Sequence, residues 1–311
     1  MSYQINHNPF VRKRIISIDS RFRDPVYSSP SDFTYQLAFP IRNIISVRLS
    51  SIEYPNTYFV FSANKGNVSM KIKFAATPWL SITIPDGNYT TIPGDASSIQ
   101  MTIQTAIRNA YMSYVTAGTM SDPLVTLTIS PTTGHITIAS TGGTPLAFTL
   151  DFRGAKFENR PYDWGLGYNL GFPNKEYPVA STSFTGTAII DIIGAAYVFF
   201  RLNGIDPIQH YSPEKNMFSA FAKLLMVGDK NSIVYDDGSS FITKEFRYQQ
   251  PVDFFMIQPQ IVDTYGEIVD LNGKNYSFTI ELEEVINVTA YKQYRDNAMS
   301  MPGDWLGTYS V

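Results

Sequence analysis

The dominant rhythm along the chain has a period of two. In NIISVRLSS, Ile45, Val47 and Leu49 alternate with Ser46, Arg48 and Ser50, so each set falls on one face of an extended strand. LVTLTIS repeats the pattern with Val125, Leu127 and Ile129. After the turn PTTG, HITIA continues it with Ile136 and Ile138, which predicts a β-hairpin. LAFTLDF sets Leu146, Phe148, Leu150 and Phe152 against Ala147, Thr149 and Asp151. YSFTIELEE sets Tyr276, Phe278, Ile280 and Leu282 against Ser277, Thr279, Glu281 and Glu283. One apolar and one polar face per strand is the pattern of antiparallel sheets.

One segment changes period. In DASSIQMTIQTAIRNAYMSYV the residues Ile99, Ile103, Ala106, Ile107, Ala110 and Tyr114 recur at helical spacing, and Ser97 with Gln100 predicts a capping box. The apolar side of this helix, Tyr114 included, is expected to lie on the hairpin Leu124–Ser140. MFSAFAKLLMV fits a helix or a buried strand equally. AIIDIIGAAYVFF is shorter than the ~20 residues a bilayer requires and is interrupted by Asp191, so it predicts a buried pair of strands. The Gly-, Pro- and aromatic-rich stretch from Gly154 to Pro178 predicts a long ordered loop with one helical turn. The resulting fold class is all-β, an antiparallel β-sandwich carrying a small α+β insertion. Its expected organisation is an N-terminal arm (1–14), a composite sandwich domain (15–290) with the insertion at about 86–178, and a C-terminal arm (291–311).

Composition narrows the function. Charged residues make up 16% of the 311 positions, against ~25% in an ordinary domain, while aromatics reach 14%. Such a surface suits a chain covered by neighbours, since interfaces favour aromatics over lysine and glutamate. A tyrosine-rich monomeric β-protein is the plainer alternative. The net charge of −3 provides no global positive field, so direct nucleic-acid binding is not expected. The absence of cysteine excludes disulfides, thiol catalysis and cysteine–zinc sites. MSYQINHNPFVRKR lacks the apolar core of a secretory signal, so the sequons at Asn67, Asn88, Asn275 and Asn287 read as coincidence.

Candidate chemistry is sparse. His7, His135 and His210 are far apart and at no metal-ligand spacing. GLGYNLG has the wrong spacing for a phosphate loop and reads as a turn needing positive φ. Asp263, Glu267 and Asp270 read as a turn, and Glu281 and Glu283 as the solvent face of a strand. Paired carboxylates on a sandwich could hydrolyse a glycoside, which keeps an enzymatic reading as the weaker alternative. No catalytic, cofactor or metal residue is therefore assigned. What remains is a basic cluster, Arg12, Lys13, Arg14, Arg21 and Arg23, in a segment of five basic and two acidic residues up to Asp24. These side chains are candidates for an interface or for internal bracing, because a guanidinium fork binds carboxylates and carbonyls. Ile16 and Ile18 are expected to face inward and Pro25 to end the strand.

The order of several segments resembles that of virion proteins of nucleocytoplasmic large DNA viruses, the giant viruses, in which they are similar to minor capsid components. They are IISIDSRFRDP, SDFTYQLAFPIRNIISVRLSSIEYPNTYFVF, IPDGNYT, LGYNLGF and FFMIQPQIVDTYGEIVDLNGKNYSFTIELE, extending from about Ile15 to Glu284. The resemblance implies a jelly roll and a non-enzymatic structural role without cofactors. It implies major and other minor capsid proteins as partners, in a virion capsid assembled in the host cytoplasm. It also implies proximity to an internal viral membrane without spanning it. A glycan- or receptor-binding virion protein, with Trp79 and Trp164 stacking on sugars, is the alternative.

Overall fold

The computed structural model describes residues 10–27, 29–75, 77–115, 124–153, 156–205, 207–211, 217–237 and 245–300. The chain divides into two units, Met1–Tyr58 with Ala196–Val311, and Phe59–Ala195. The first is a β-sandwich, and the second is inserted into its sequence between two strands.

The sandwich opens with β1 (Val11–Asp19), a 3-10 turn at Ser20–Phe22, and β2 (Tyr35–Pro55). β2 is unusually long at 21 residues. Its register against the last strand slips twice, so the alternation changes phase: Val47 and Leu49 are buried on one side of the slip, Ile52 and Tyr54 on the other. β1 ends at Asp19, not at Pro25, because the Asp19 carboxylate caps the 3-10 turn by accepting from the Arg21 amide. Ile18 is buried as expected, and Ile16 is half-buried.

The inserted unit holds β3 (Ser69–Phe74), β4 (Leu80–Thr83), α1 (Ile99–Tyr114), β5 (Val125–Ile129), β6 (Ile136–Ser140), β7 (Phe148–Asp151), α2 (Leu166–Asn169), β8 (Glu176–Ser181) and β9 (Ser183–Thr185). These make a four-stranded sheet, β4-β3-β7-β8, and a three-stranded one, β5-β6-β9. The hairpin β5–β6 forms in the expected register, with Leu127 opposite Ile138. The helix buries Ile99, Ile103, Ile107 and Tyr111, and Tyr114 is exposed. A straight i, i+4 series stays on one stripe, and Tyr111 closes it with its ring 5.1 Å from that of Phe74. The expected capping box does not form. Ser98 is the N-cap and its hydroxyl donates to Gln100 Oε1, while the Ser97 hydroxyl donates to Asp95. Strands β3, β4 and β9 lie outside the expected 86–178, so the excursion is longer than the turn signals indicated.

The sandwich resumes with β10 (Tyr197–Leu202), β11 (Ile208–Tyr211), β12 (Met217–Ala220), β13 (Ala222–Leu225), β14 (Ile233–Asp236), β15 (Glu245–Ile257), β16 (Pro259–Val262) and β17 (Ser277–Val285), and closes with α3 (Val288–Ser300). MFSAFAKLLMV is thus two strands. The apolar run Ala188–Phe200 supplies only one strand, and Ile189 and Ile193 stand in water. Asp191 accepts backbone amides at Ile193 and Gly194, which turns the chain there instead of extending it. Residues 11–14, expected in an arm, are strand, because β17 offers them a continuous ladder. Of the expected C-terminal arm, 291–300 belong to α3, and 301–311 lie outside the described residues.

One sheet of the sandwich runs β1-β17-β2-β14, with β15 also pairing β2. The other runs β13-β10-β16 and is extended by a bridge from Asp32 to Gln260. In chain order the strands fall in the first sheet (β1), second (Asp32 segment), first (β2), second (β10, β13), first (β14, β15), second (β16) and first (β17). Two four-position antiparallel sheets linked in this order are a jelly roll. The sheets meet through Phe200 and Phe278, 5.1 Å apart, and Tyr54 donates across to the Leu225 carbonyl. Tyr276, Phe278, Ile280 and Leu282 all face inward, and each full burial stabilises by roughly 1.5–3 kcal/mol.

Candidate functional site

The basic cluster lies on β1 and the turn that follows it. β1 pairs with β17 over nine positions without a bulge. The Ser20 amide donates to the Tyr276 carbonyl at 2.9 Å, and the Ile286 amide donates to Phe10 at 2.8 Å. Those two contacts fix the phase: even-numbered residues of β1 bond to β17, and odd-numbered ones point their backbone groups away from it.

Alternation separates the cations. Arg12 and Arg14 share the face of Ile16 and Ile18, and between them lies Glu284, whose side chain is only 6% exposed. Arg12 donates to Glu284 Oε2 from Nε at 2.9 Å and from Nη2 at 2.6 Å, and Arg14 Nε lies 2.9 Å from Oε1. Lys13, on the opposite face, donates to Glu281 Oε1 at 2.7 Å, and that bond holds its ammonium pKa above the usual lysine value. Arg21 folds back on Asp19, donating from Nη2 to Oδ2 at 2.6 Å, and this bond pulls the Asp19 carboxyl below the usual carboxylate range. Arg23 donates to the backbone carbonyls of Ser20 and Tyr27 and to Asn275 Oδ1, tying the turn to the approach of β17. The structure therefore places Arg12, Lys13 and Arg14 along one strand, with Arg12 and Arg14 sharing Glu284, and Arg21 and Arg23 in the turn beyond it.

The acidic half of this arrangement was not recognised in the sequence. Glu281 and Glu283 read as a solvent face, and Glu284 was assigned to neither face. Instead Glu284 is buried, and Glu283 meets Arg247 at 3.3 Å, which in turn holds Glu245 at 2.9 Å. The usable signal was the run RKR in one strand and ELEE in another, which complement each other only once the strands are known to be neighbours. Chemically the arrangement is a ladder of matched charges that fixes strand register.

The remaining candidates disperse. Asp263 accepts the amides of Tyr265 and Glu267, and Gly266 takes φ +84°, so this acidic stretch is a turn. Gly165 (φ +149°) and Gly171 (φ +79°) flank the single helical turn α2, where a left-handed backbone explains the glycines. His135 follows the hairpin turn and His210 packs between Phe199 and Phe218, while His7 lies outside the described residues. Trp79 is exposed, but Trp164 is 4% exposed and cannot stack on a ligand from solvent. Among the described residues no group of three or more His, Cys, Asp or Glu could hold a metal ion, and no helix is long and apolar enough to cross a membrane. A shallow depression of about 230 Å³ on the second sheet is lined by Asp32, Thr34, Arg201, Asn203, Gln258 and Gln260.

No protein-family model and no curated protein matches the chain. Among solved structures, a mavirus penton protein is similar at a TM-score of 0.43 and 10% identity, over 88% of this chain and 98% of that one.

Proposed function

We propose that the chain is a non-enzymatic structural component of a large icosahedral DNA virus capsid, a minor capsid protein that links or supports major-capsid capsomers. The observation that carries this reading is a jelly roll whose large apolar side chains stand in water at several places. Phe39 is 83% exposed, Phe22 73% and Val26 77%, and in the inserted unit Ile193 is 78% exposed. Interfaces favour aromatic side chains over lysine and glutamate, so a neighbour seated on Phe39 or Phe22 would take them out of water. The low charge, the aromatic content and the ordered segment resemblance from Ile15 to Glu284 support the same role. On this reading the partners are the major capsid protein and other minor capsid proteins, and the cations of β1 and its turn act as internal braces. Location in the virion capsid, assembly in the host cytoplasm, closeness to an internal membrane and no direct nucleic-acid contact complete the proposal. Quantitative mass spectrometry of purified particles tests it. A fixed ratio to the major capsid protein that survives stripping of loosely bound material is expected, and absence from particles would refute it.

A second reading, glycan binding, is favoured by the depression around Asp32 and Arg201. Its amide, carboxylate and guanidinium groups can bind hydroxyls as donors and acceptors. Saturable binding on a glycan array, lost on Arg201→Ala, would establish it.

A further inference from the structure

We infer that the outer edge of β1 is a homotypic docking site, on which β1 of a second copy adds antiparallel about a two-fold axis in the register that sets Lys13 opposite Asp19. The inference does not depend on the capsid role. β1 ends its sheet, and among the described residues no strand pairs with its outer side. The strand is nine residues long, free of Pro, Gly and bulges, and its odd-numbered residues direct amides and carbonyls outward. Such an edge is a template for another strand unless charge or shape blocks it.

The charge pattern selects the occupant. Basic residues fill the first half of β1 (Arg12, Lys13, Arg14), and Asp19 ends it. Parallel addition of a second copy would set like charges together. Antiparallel addition sets Lys13 of each copy opposite Asp19 of the other, where the two would share the partners they hold within their own copy, Glu281 for Lys13 and Arg21 for Asp19. Outward backbone groups on both strands meet only if odd residues face odd residues. The register with Lys13 opposite Asp19 satisfies this, places Ile15 opposite Ser17, and brings Ile16 opposite itself on the axis. Opposite charges across strands stabilise pairing and like charges oppose it. The same register brings Phe10, which contacts Tyr294 at 6.1 Å, toward the exposed Phe22 of the other copy. Ile15, 70% exposed at the middle of the strand, would be covered by the pairing. Two paired strands bury less than a standard interface of ~1,600 Å², so the association is reversible and concentration-dependent.

The chain has no cysteine, so single cysteines report the register without background. At a non-hydrogen-bonded antiparallel position the Cα atoms lie ~4.5 Å apart, within disulfide reach. Ile16→Cys is expected to yield a covalent dimer under mild oxidation, whereas Ile18→Cys, opposite Arg14, is not. Sedimentation velocity over a concentration series should show wild-type dimer. Ile15→Pro, which withholds an outward amide only, should be monomeric with an unchanged unfolding midpoint. Should Ile15→Pro not fold, Lys13→Asp, which sets two carboxylates opposite each other in this register at an exposed position, should likewise be monomeric. A wild-type monomer at every concentration overturns the inference. So does failure of Ile16→Cys to cross-link, or a dimer that survives a folded edge variant.

Discussion

Removing the acid from the Arg12–Glu284–Arg14 group should cost less than removing both bases. The carboxylate is nearly buried, while the side chains of Arg12 and Arg14 are 60% and 42% exposed. In Glu284→Gln the amide oxygen still accepts, and both guanidinium groups keep access to water. Charge-assisted hydrogen bonds are about twice as strong as neutral ones, so the loss should be about 1–2 kcal/mol. In Arg12→Ala with Arg14→Ala the carboxylate is left without its cations in a largely dry site, a change worth about 3–5 kcal/mol when burial is complete. Water reaching the strand edge reduces that toward the lower limit. Adding Glu284→Leu to the double arginine variant removes the stranded charge and should recover most of the loss. Urea unfolding followed by far-UV circular dichroism gives the free energies, and hydrogen exchange of peptides covering β1 and β17 assigns the change to this region. If Glu284→Gln proves as costly as the double arginine variant, or Glu284→Leu restores nothing, the buried carboxylate does not dominate the energetics and the reasoning fails.

Further outcomes follow from other contacts. Ile103→Ala deletes three buried carbons at ~0.8 kcal/mol each and leaves a cavity, for a total of roughly 2–5 kcal/mol, whereas Met101→Ala on the exposed side should cost little. Trp164 is buried in the same unit, so tryptophan fluorescence in urea reads this change, and equal midpoints for the two variants would refute the helix packing. Gly171→Ala must adopt φ +79° and push its methyl into the Ala188 carbonyl; a lowered melting temperature is expected, and an unchanged one would contradict the close approach. Asp151, hydrogen-bonded by Arg153, has its pKa depressed below the ordinary 3.8. Its stabilisation is present above the unfolded value and is lost as pH falls through the lower folded value. Asp151→Asn should therefore flatten the acid limb of the stability curve below about pH 4, and a limb of unchanged slope would show that the pair does not contribute.

What was legible in the sequence was local. The alternation of Tyr276 to Leu282 and the hairpin around PTTG needed only nearest neighbours, and both formed as read. Errors arose where one side chain changed the backbone course or a bulge reset the phase. Asp19 capped a turn six residues before Pro25, and Asp191 broke an apolar run that would otherwise read as continuous strand. The register slips in β2 placed Ile44 and Ile45 both in the core, which strict alternation cannot express. The burial of Glu284 was invisible because its partners lie 270 or more positions away along the chain. The sheet order is likewise long-range, set by which strands meet and not by any strand's own pattern.

The central claim is that this jelly roll is a built-in part of a capsid. A cryo-electron-microscopy map of the intact particle tests it most directly. The account predicts density between or beneath capsomers that accommodates both sheets of the sandwich and the inserted unit 59–195, with Phe39 and Phe22 against neighbouring chains. A complete capsid map in which no density fits this chain would contradict it.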